Sequence, residues 1–107
     1  MAKYLVGVKY TPEAAKAVTQ EGYSSRQAVN EKLFEALGGR IEQFLWTAGG
    51  DLDLVGLAEL PASAIPTLKA IVDGAGTFAY ARIVEVFDSA TMDAAAAAGS
   101  NYRPVGQ

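Results

Sequence analysis

The chain has 107 residues and a mass of 11.2 kDa; 50% of its residues are hydrophobic, and the mean hydropathy is +0.13. We assign residues 1–107 to one domain, whose apolar content exceeds what a core of this size hides and therefore favours oligomerisation. The formal net charge of −3 disfavours nucleic acid and anionic membrane surfaces as partners, because phosphate groups attract basic proteins.

The sequence contains neither cysteine nor histidine. This excludes disulfides, thiolate and imidazole metal sites, cysteine nucleophiles and the Ser-His-Asp triad. We therefore expect no metal and no cofactor, and only a carboxylate, Lys, Tyr or Ser/Thr side chain is left for acid-base chemistry. No apolar run reaches the roughly 18 residues that span a bilayer, and no signal-peptide pattern is present, so we expect a cytoplasmic protein without a membrane partner.

The first part of the chain predicts a strand followed by two short helices. Aromatic and β-branched residues over 3–10 predict the strand. Thr11 is suited to cap a helix whose first position is Pro12, and this helix is expected to run to Gly22. Apolar residues at helical spacing over 26–37 predict the second helix.

Residues 40–60 predict a hairpin, in which two strand-like runs flank a Gly-Gly-Asp-Leu-Asp turn. Strict alternation along the first run places Phe44 and Trp46 on the side opposite Ile41. A third helix is predicted from Ser63 to about residue 75, and a strand over 77–87 follows it. A short alanine-rich helix over 90–98 and a tail over 100–107 complete the chain.

This order of elements predicts an α+β fold of the ferredoxin-like βαββαβ type, a four-stranded antiparallel sheet with helices on one face, plus a short C-terminal helix. Strict alternation gives the other face a large apolar patch, formed by Phe44, Trp46, Val55, Leu57, Phe78, Tyr80, Val84 and Val86. Two such faces can pack together, so we expect a homodimer, a dimeric α/β barrel, that buries about 1,600 Å² or more.

Four segments resemble one known family: KYLVGVKYTPEA, LGGRIEQFLW, GDLDLVGLAELP and YRPVG. Together they resemble the GYD domain family, small bacterial proteins similar to the dimeric α/β barrel superfamily. The motif that names the family is Gly, any residue, Tyr, Asp; Gly50 and Asp53 match it, whereas Leu52 stands at the tyrosine position.

The resemblance implies the dimeric ferredoxin-like fold but little chemistry, because the family is of unknown function. The wider superfamily includes cofactor-free monooxygenases, haem-degrading enzymes, chlorite dismutase-like proteins and muconolactone isomerase-like enzymes. These proteins share a cleft between sheet and helices, and the fold alone does not choose among their activities. The absence of histidine disfavours the haem-dependent members.

Aromatic and cationic side chains are the candidates for binding a flat aromatic ligand. The candidate ligand-binding residues are Tyr10, Arg26, Trp46, Tyr80 and Arg82. The alternative is that these aromatics pack in the dimer core and the cations lie at its rim.

Asp53 and Tyr10 are the candidate catalytic residues. Asp51 and Asp53 flank Leu52 in the turn, and paired carboxylates can divide acid and base roles. The alternative is that these aspartates accept hydrogen bonds from backbone N–H groups of the turn.

The C-terminal tail contains Tyr102-Arg103-Pro104. This segment either folds over a partner subunit or a cleft, or forms a frayed terminus.

Taken together, the residues and the resemblance predict a homodimeric binder of a small, aromatic molecule. Two alternatives stay open: a cofactor-free monooxygenase or isomerase, and a regulatory or structural interaction module without a ligand. Enzymatic activity is left undecided by the sequence. An RNA-recognition motif has the same order of elements, but the acidic chain lacks the basic, aromatic pattern of such strands.

Overall fold

The structure is a computed structural model that describes residues 1–107. Its elements are β1 (Ala2–Tyr10), α1 (Pro12–Glu21), α2 (Tyr23–Ala36), β2 (Arg40–Trp46), β3 (Leu54–Leu60), α3 (Ile65–Ala75), β4 (Phe78–Val86) and α4 (Ser89–Ala98). A single 3₁₀ turn, Ala62–Ala64, leads into α3. The predicted ferredoxin-like order, with its additional C-terminal helix, is confirmed. None of the helices has the length and apolar character needed to cross a bilayer.

Local sequence signals explain where the first two helices begin and end. The Thr11 hydroxyl accepts a hydrogen bond from the Ala14 N–H at 3.2 Å, and Pro12 occupies the first turn of α1. Gly22 has φ of 107°, a conformation that few residues with a side chain adopt, and it divides α1 from α2. The region therefore forms two helices rather than one bent helix, as predicted.

The four strands form one antiparallel sheet in the order β2-β3-β1-β4. Helices α1, α2 and α3 cover one face, which we call the helix-covered face. One cluster of buried side chains joins β1 and β3 to α2 and α3: Tyr4, Phe34, Ala58, Leu60, Ala64 and Leu68. A second cluster joins the other end of these strands to α1: Val8, Tyr10, Ala14, Val18 and Leu54.

Each edge strand, β2 and β4, contains a β-bulge that changes the face of the sheet on which some of its side chains lie. Part of the predicted apolar patch is therefore wrong. In β2, Ile41 pairs with Ala58 but Gln43 pairs with Leu57, so Glu42 is an extra residue. In β4, the pairing with β1 likewise skips Ala79. An extra residue reverses the side-chain alternation beyond it.

The bulges therefore move three aromatics to the helix-covered face. Phe44, Trp46 and Phe78 pack against the second buried cluster. Their prediction on the opposite face was wrong, because strict alternation cannot anticipate a bulge.

The opposite face of the sheet, here called the open face, is covered by no helix. Its exposed apolar side chains are Leu5 (47%), Leu45 (54%), Tyr80 (37%) and Val84 (51%). Leu52 also lies on this face, above Gly7, where an added Cβ would be 2.9 Å from Leu52 Cδ1. The open face is thus apolar at its centre, as predicted; Tyr80 and Val84 belong to the predicted patch, whereas Leu5 and Leu45 do not.

Helix α4 and the tail extend beyond the sheet. No residue of α4 is buried, and Tyr102 in the tail is 73% exposed. The radius of gyration is 17.1 Å, against about 13 Å for a compact domain of this length. The C-terminal segment therefore adds length without adding to the core.

Candidate functional site

A cavity of about 220 Å³ lies between the helix-covered face and helices α2 and α3. Of the 21 residues that line it, 17 are hydrophobic, so a ligand in it must be mainly apolar. Small residues form much of its floor: Gly56, Ala58 and Ala81. Because these residues place little or no side chain above the sheet, the sequence itself leaves space there.

The arrangement of the helices keeps this space open. Helix α2 packs mainly on α1 and β2, whereas α3 packs on β4 and the preceding 3₁₀ turn, and contacts between α2 and α3 are sparse. Val29 on α2 and Ile71 on α3 line the cavity and are 47% and 39% exposed. These two side chains therefore flank its opening to solvent.

Arg26 is the one charged residue that lines the cavity. Its Nε atom is buried and has no hydrogen-bond partner. The nearest carboxylate oxygen, Glu21 Oε2, is 3.6 Å from Nε, which is an ion-pair distance but too long for a hydrogen bond. Asn30, one turn further along α2, donates its side-chain N–H to the Arg26 carbonyl at 2.9 Å.

Tyr10, at the end of β1, lines the same cavity. Burial raises the pKa of the Tyr10 hydroxyl above its usual value, because the phenolate is less well solvated there. The charge of Arg26 opposes this shift, while Asp53 and Glu21 add to it. The hydroxyl is therefore protonated at neutral pH and is suited to donate a hydrogen bond rather than to remove a proton.

Aromatic rings surround Tyr10 on the helix-covered face. The ring centroid of Tyr10 is 5.2 Å from that of Phe78 and 6.5 Å from that of Trp46, in stacked orientations. Tyr23 and Phe44 contact Trp46 edge-on, at 4.8 and 5.5 Å. These contacts fix the Tyr10 ring at one end of the cavity.

Trp46 itself does not line the cavity. It lines a second pocket of about 360 Å³ on the other side of Tyr10, together with Tyr23 and Asp53. Tyr23 is 50% exposed, so this pocket is a surface depression despite its larger volume. The cavity between sheet and helices is the better candidate because it is shielded by packed elements and lined by Arg26, whose Nε is unpaired.

Asp53 holds the hairpin turn against β1. Its carboxylate accepts hydrogen bonds from the Tyr10 N–H at 3.0 Å and from Lys9 Nζ at 3.2 Å. Its backbone N–H donates to the Val8 carbonyl, and its own carbonyl accepts from the Thr47 N–H. Both carboxylate oxygens are thus already engaged, by a backbone N–H and a lysine of β1 rather than by the N–H groups of the turn itself.

Tyr80 and Arg82 lie on the open face, separated from Tyr10 and Arg26 by the sheet. The guanidinium carbon of Arg82 is 5.6 Å from the centre of the Tyr80 ring, and Arg82 Nη2 is 3.1 Å from Asp51 Oδ2. The five predicted ligand-binding residues therefore form three groups: Tyr10 with Arg26, Trp46 beside them, and Tyr80 with Arg82 on the other face.

Two polar residues that line the cavity escaped prediction, Asn30 and Thr77. Asn30 stands four residues after Arg26, a spacing that places both on one side of a helix, so this signal was available. Thr77 lies in the short connection before β4 and shows no comparable pattern.

No group of three or more His, Cys, Asp and Glu side chains is arranged to hold a metal ion.

The family model for the GYD domain matches residues 4–96. Comparison with curated proteins and with solved structures found no match. The matched region contains the sheet except for the first two residues of β1, the helices that cover it and the turn with Leu52 at the tyrosine position. Since the model matches most of the sequence, the chain belongs to the GYD domain family.

Proposed function

We propose that this protein is a homodimeric binder of a small, mainly apolar molecule, which occupies the cavity between the sheet and helices α2 and α3. The observation that carries the proposal is the preformed cavity of about 220 Å³ with its apolar walls and few polar groups. Ligand sites in proteins usually combine apolar walls with a small number of placed polar groups.

The volume of the cavity limits the ligand to about one ring. An apolar cavity of about 150 Å³ is sufficient for benzene, whereas drug-sized ligands occupy roughly 300–1,000 Å³. The value of about 220 Å³ therefore fits one six-membered ring with a short substituent. A larger ligand would require α2 and α3 to move apart.

The polar groups favour binding without turnover over an oxygenase or isomerase activity. The lining contains no carboxylate and no lysine that could remove a proton. Tyr10 is protonated at neutral pH, as tyrosines ordinarily are, and burial raises its pKa further; Asp53 is engaged by the Tyr10 N–H and Lys9. A general base must reach the proton that it removes, and no such group faces this cavity.

The open face supports the homodimer in this proposal. Leu5, Leu45 and Val84 form its apolar centre. Ion pairs lie towards both ends of the face: Lys3 with Glu42, Arg40 with Glu59, and Arg82 with Asp51. An apolar centre with a polar rim is the usual composition of a protein interface.

Filling the cavity tests the binding proposal. Toluene, anisole and benzyl alcohol should bind the wild-type protein, as measured by isothermal titration calorimetry and by the increase in melting temperature. Ala81→Leu places extra methyl groups on the cavity floor and should abolish this binding without lowering stability, because it fills space. Ala28→Leu is the matched control, since Ala28 is exposed on α2 and lines no part of the cavity.

Equal binding by wild type and Ala81→Leu would place the ligand elsewhere. Failure of all three compounds to bind the wild-type protein would contradict the proposed function.

A further inference from the structure

We propose that the ligand of this cavity is a monocyclic aryl carboxylate, whose carboxylate group binds Arg26 while its ring occupies the apolar part of the cavity. The inference deepens the proposed function and rests on it.

The unpaired Nε–H of Arg26 is the first reason. This atom is fully buried and has no hydrogen-bond partner, and Arg26 is one of the residues that line the cavity. A buried donor without a partner costs free energy, and the cost is greater for a charged group. An acceptor supplied by a ligand would remove this cost once the guanidinium group turned towards the cavity, so the site favours a molecule with an acceptor at that end.

The charge at this end of the cavity is the second reason. Glu21 is the only carboxylate paired with Arg26, at 3.6 Å, and it lies on α1, outside the cavity lining. Glu21 therefore balances the charge of Arg26 without filling the space in front of it. No acidic residue lines the cavity, and Glu21, outside the lining, competes with an incoming anion for the charge of Arg26.

The geometry of the donors suits a planar anion with two oxygens, such as a carboxylate. A guanidinium group presents a planar set of N–H donors that matches the two oxygens of a carboxylate. Tyr10 and Thr77 also line the cavity, and their hydroxyls are able to donate to an anionic oxygen. Asn30, which donates to the Arg26 carbonyl, holds the backbone at this position.

Benzoate and its neutral analogue benzamide are the probes for this inference. They have nearly the same shape, so a difference in affinity reports the charge. The wild-type protein should bind benzoate about ten times more tightly than benzamide or better, measured by isothermal titration calorimetry at pH 7. Equal affinities would overturn the inference and leave the proposed function intact, whereas failure of benzoate, benzamide and the neutral aromatics to bind would contradict both.

Arg26→Met retains an apolar stem and removes the donors. This variant should lose about tenfold or more in benzoate affinity and keep its benzamide affinity within about threefold. Arg82→Met is the matched control on the open face and should bind both probes as the wild type does. A benzoate preference that survives in Arg26→Met would overturn the role of Arg26.

Glu21→Gln gives a second test that leaves the cavity wall unchanged. Glu21 is exposed, so the variant should fold normally. Removal of the competing carboxylate should strengthen benzoate binding several-fold and leave benzamide binding unaltered, because only the anion interacts with the released charge. Unchanged or weaker benzoate binding in this variant would contradict the proposed balance of charges.

Discussion

Asp53 shows how a residue at a family motif position can serve the backbone. Its two carboxylate oxygens bind the Tyr10 N–H and the Lys9 ammonium group, next to the bulge between β1 and β4. These contacts connect the hairpin turn to the strand that carries Tyr10. The aspartate therefore positions one end of the cavity without lining it.

Asp53→Asn should lower stability and leave ligand binding unchanged. The amide keeps one acceptor oxygen for the Tyr10 N–H but loses the ion pair with Lys9, so we expect the free energy of unfolding to fall by about 1 kcal/mol. Urea denaturation measures this loss. Asp51→Asn is the control, because the Asp51–Arg82 pair is exposed and should contribute little. Equal losses in the two variants would contradict the structural role of Asp53.

Tyr10 and Arg26 show how much of the candidate site can be predicted from residue types alone. Each was a candidate because an aromatic ring and a cation are suited to bind a flat ligand. That they line one cavity is a consequence of packing, since Tyr10 is at the end of β1 and Arg26 is in α2. Arg82 was an equally good candidate by its chemistry, yet the sheet separates it from Tyr10.

Among the elements, α4 depends most on local interactions. It buries no side chain, and a ten-residue helix is marginal in water even for alanine-rich sequences. Its N-terminus is capped by Asp88, whose carboxylate accepts a hydrogen bond from the Thr91 N–H at 2.8 Å. An aspartate before an alanine-rich run is a typical helix start, so this cap is visible in the sequence alone.

We expect α4 to lose helix content at low pH. Hydrogen bonds from Thr91 hold the pKa of Asp88 below its usual value of 3.8, and Lys3 contributes to the same shift. The folded helix therefore binds this proton less readily than the unfolded segment. The contribution of the cap is present above pH 3.8 and is lost as the pH falls through the lower pKa of the folded state.

NMR chemical shifts of the α4 backbone between pH 7 and pH 2 measure this loss. Asp88→Asn is the control, because asparagine is also a good N-cap but does not titrate in this range. Because residue 88 has no charge to lose in that variant, its cap should persist throughout this pH range. An identical pH dependence in wild type and Asp88→Asn would show that another group is responsible.

At the scale of the whole molecule, the open face should decide the oligomeric state. Val84 lies in the apolar centre of this face and is 51% exposed. In a face-to-face dimer, Val84→Lys would bury a charge without a partner, which costs several kcal/mol. We expect the wild type to be a dimer and Val84→Lys to be a monomer at micromolar concentration, measured by size-exclusion chromatography with light scattering.

Ala28→Lys is the matched control for the dimer, because it adds the same charge to the exposed surface of α2. It should remain dimeric. A monomeric wild type, or a Val84→Lys variant that stays dimeric, would contradict an interface on the open face.

The sequence by itself determined the order of the elements, most of their ends and the family, because these depend on neighbouring residues. Thr11, Gly22 and Asp88 each act within one helical turn, so their effects can be predicted without knowledge of the fold. The element order then identified the ferredoxin-like sheet and an apolar face left without a helix.

Only the tertiary structure decided which side chains occupy each face and which of them meet. The bulges at Glu42 and Ala79 each insert one residue, and this reverses the side-chain alternation for Phe44, Trp46 and Phe78. No local pattern marks these insertions, since they satisfy pairing with a strand that is distant in sequence. The same long-range packing leaves α2 and α3 apart above Gly56, Ala58 and Ala81, and so creates the cavity that brings Tyr10 and Arg26 together.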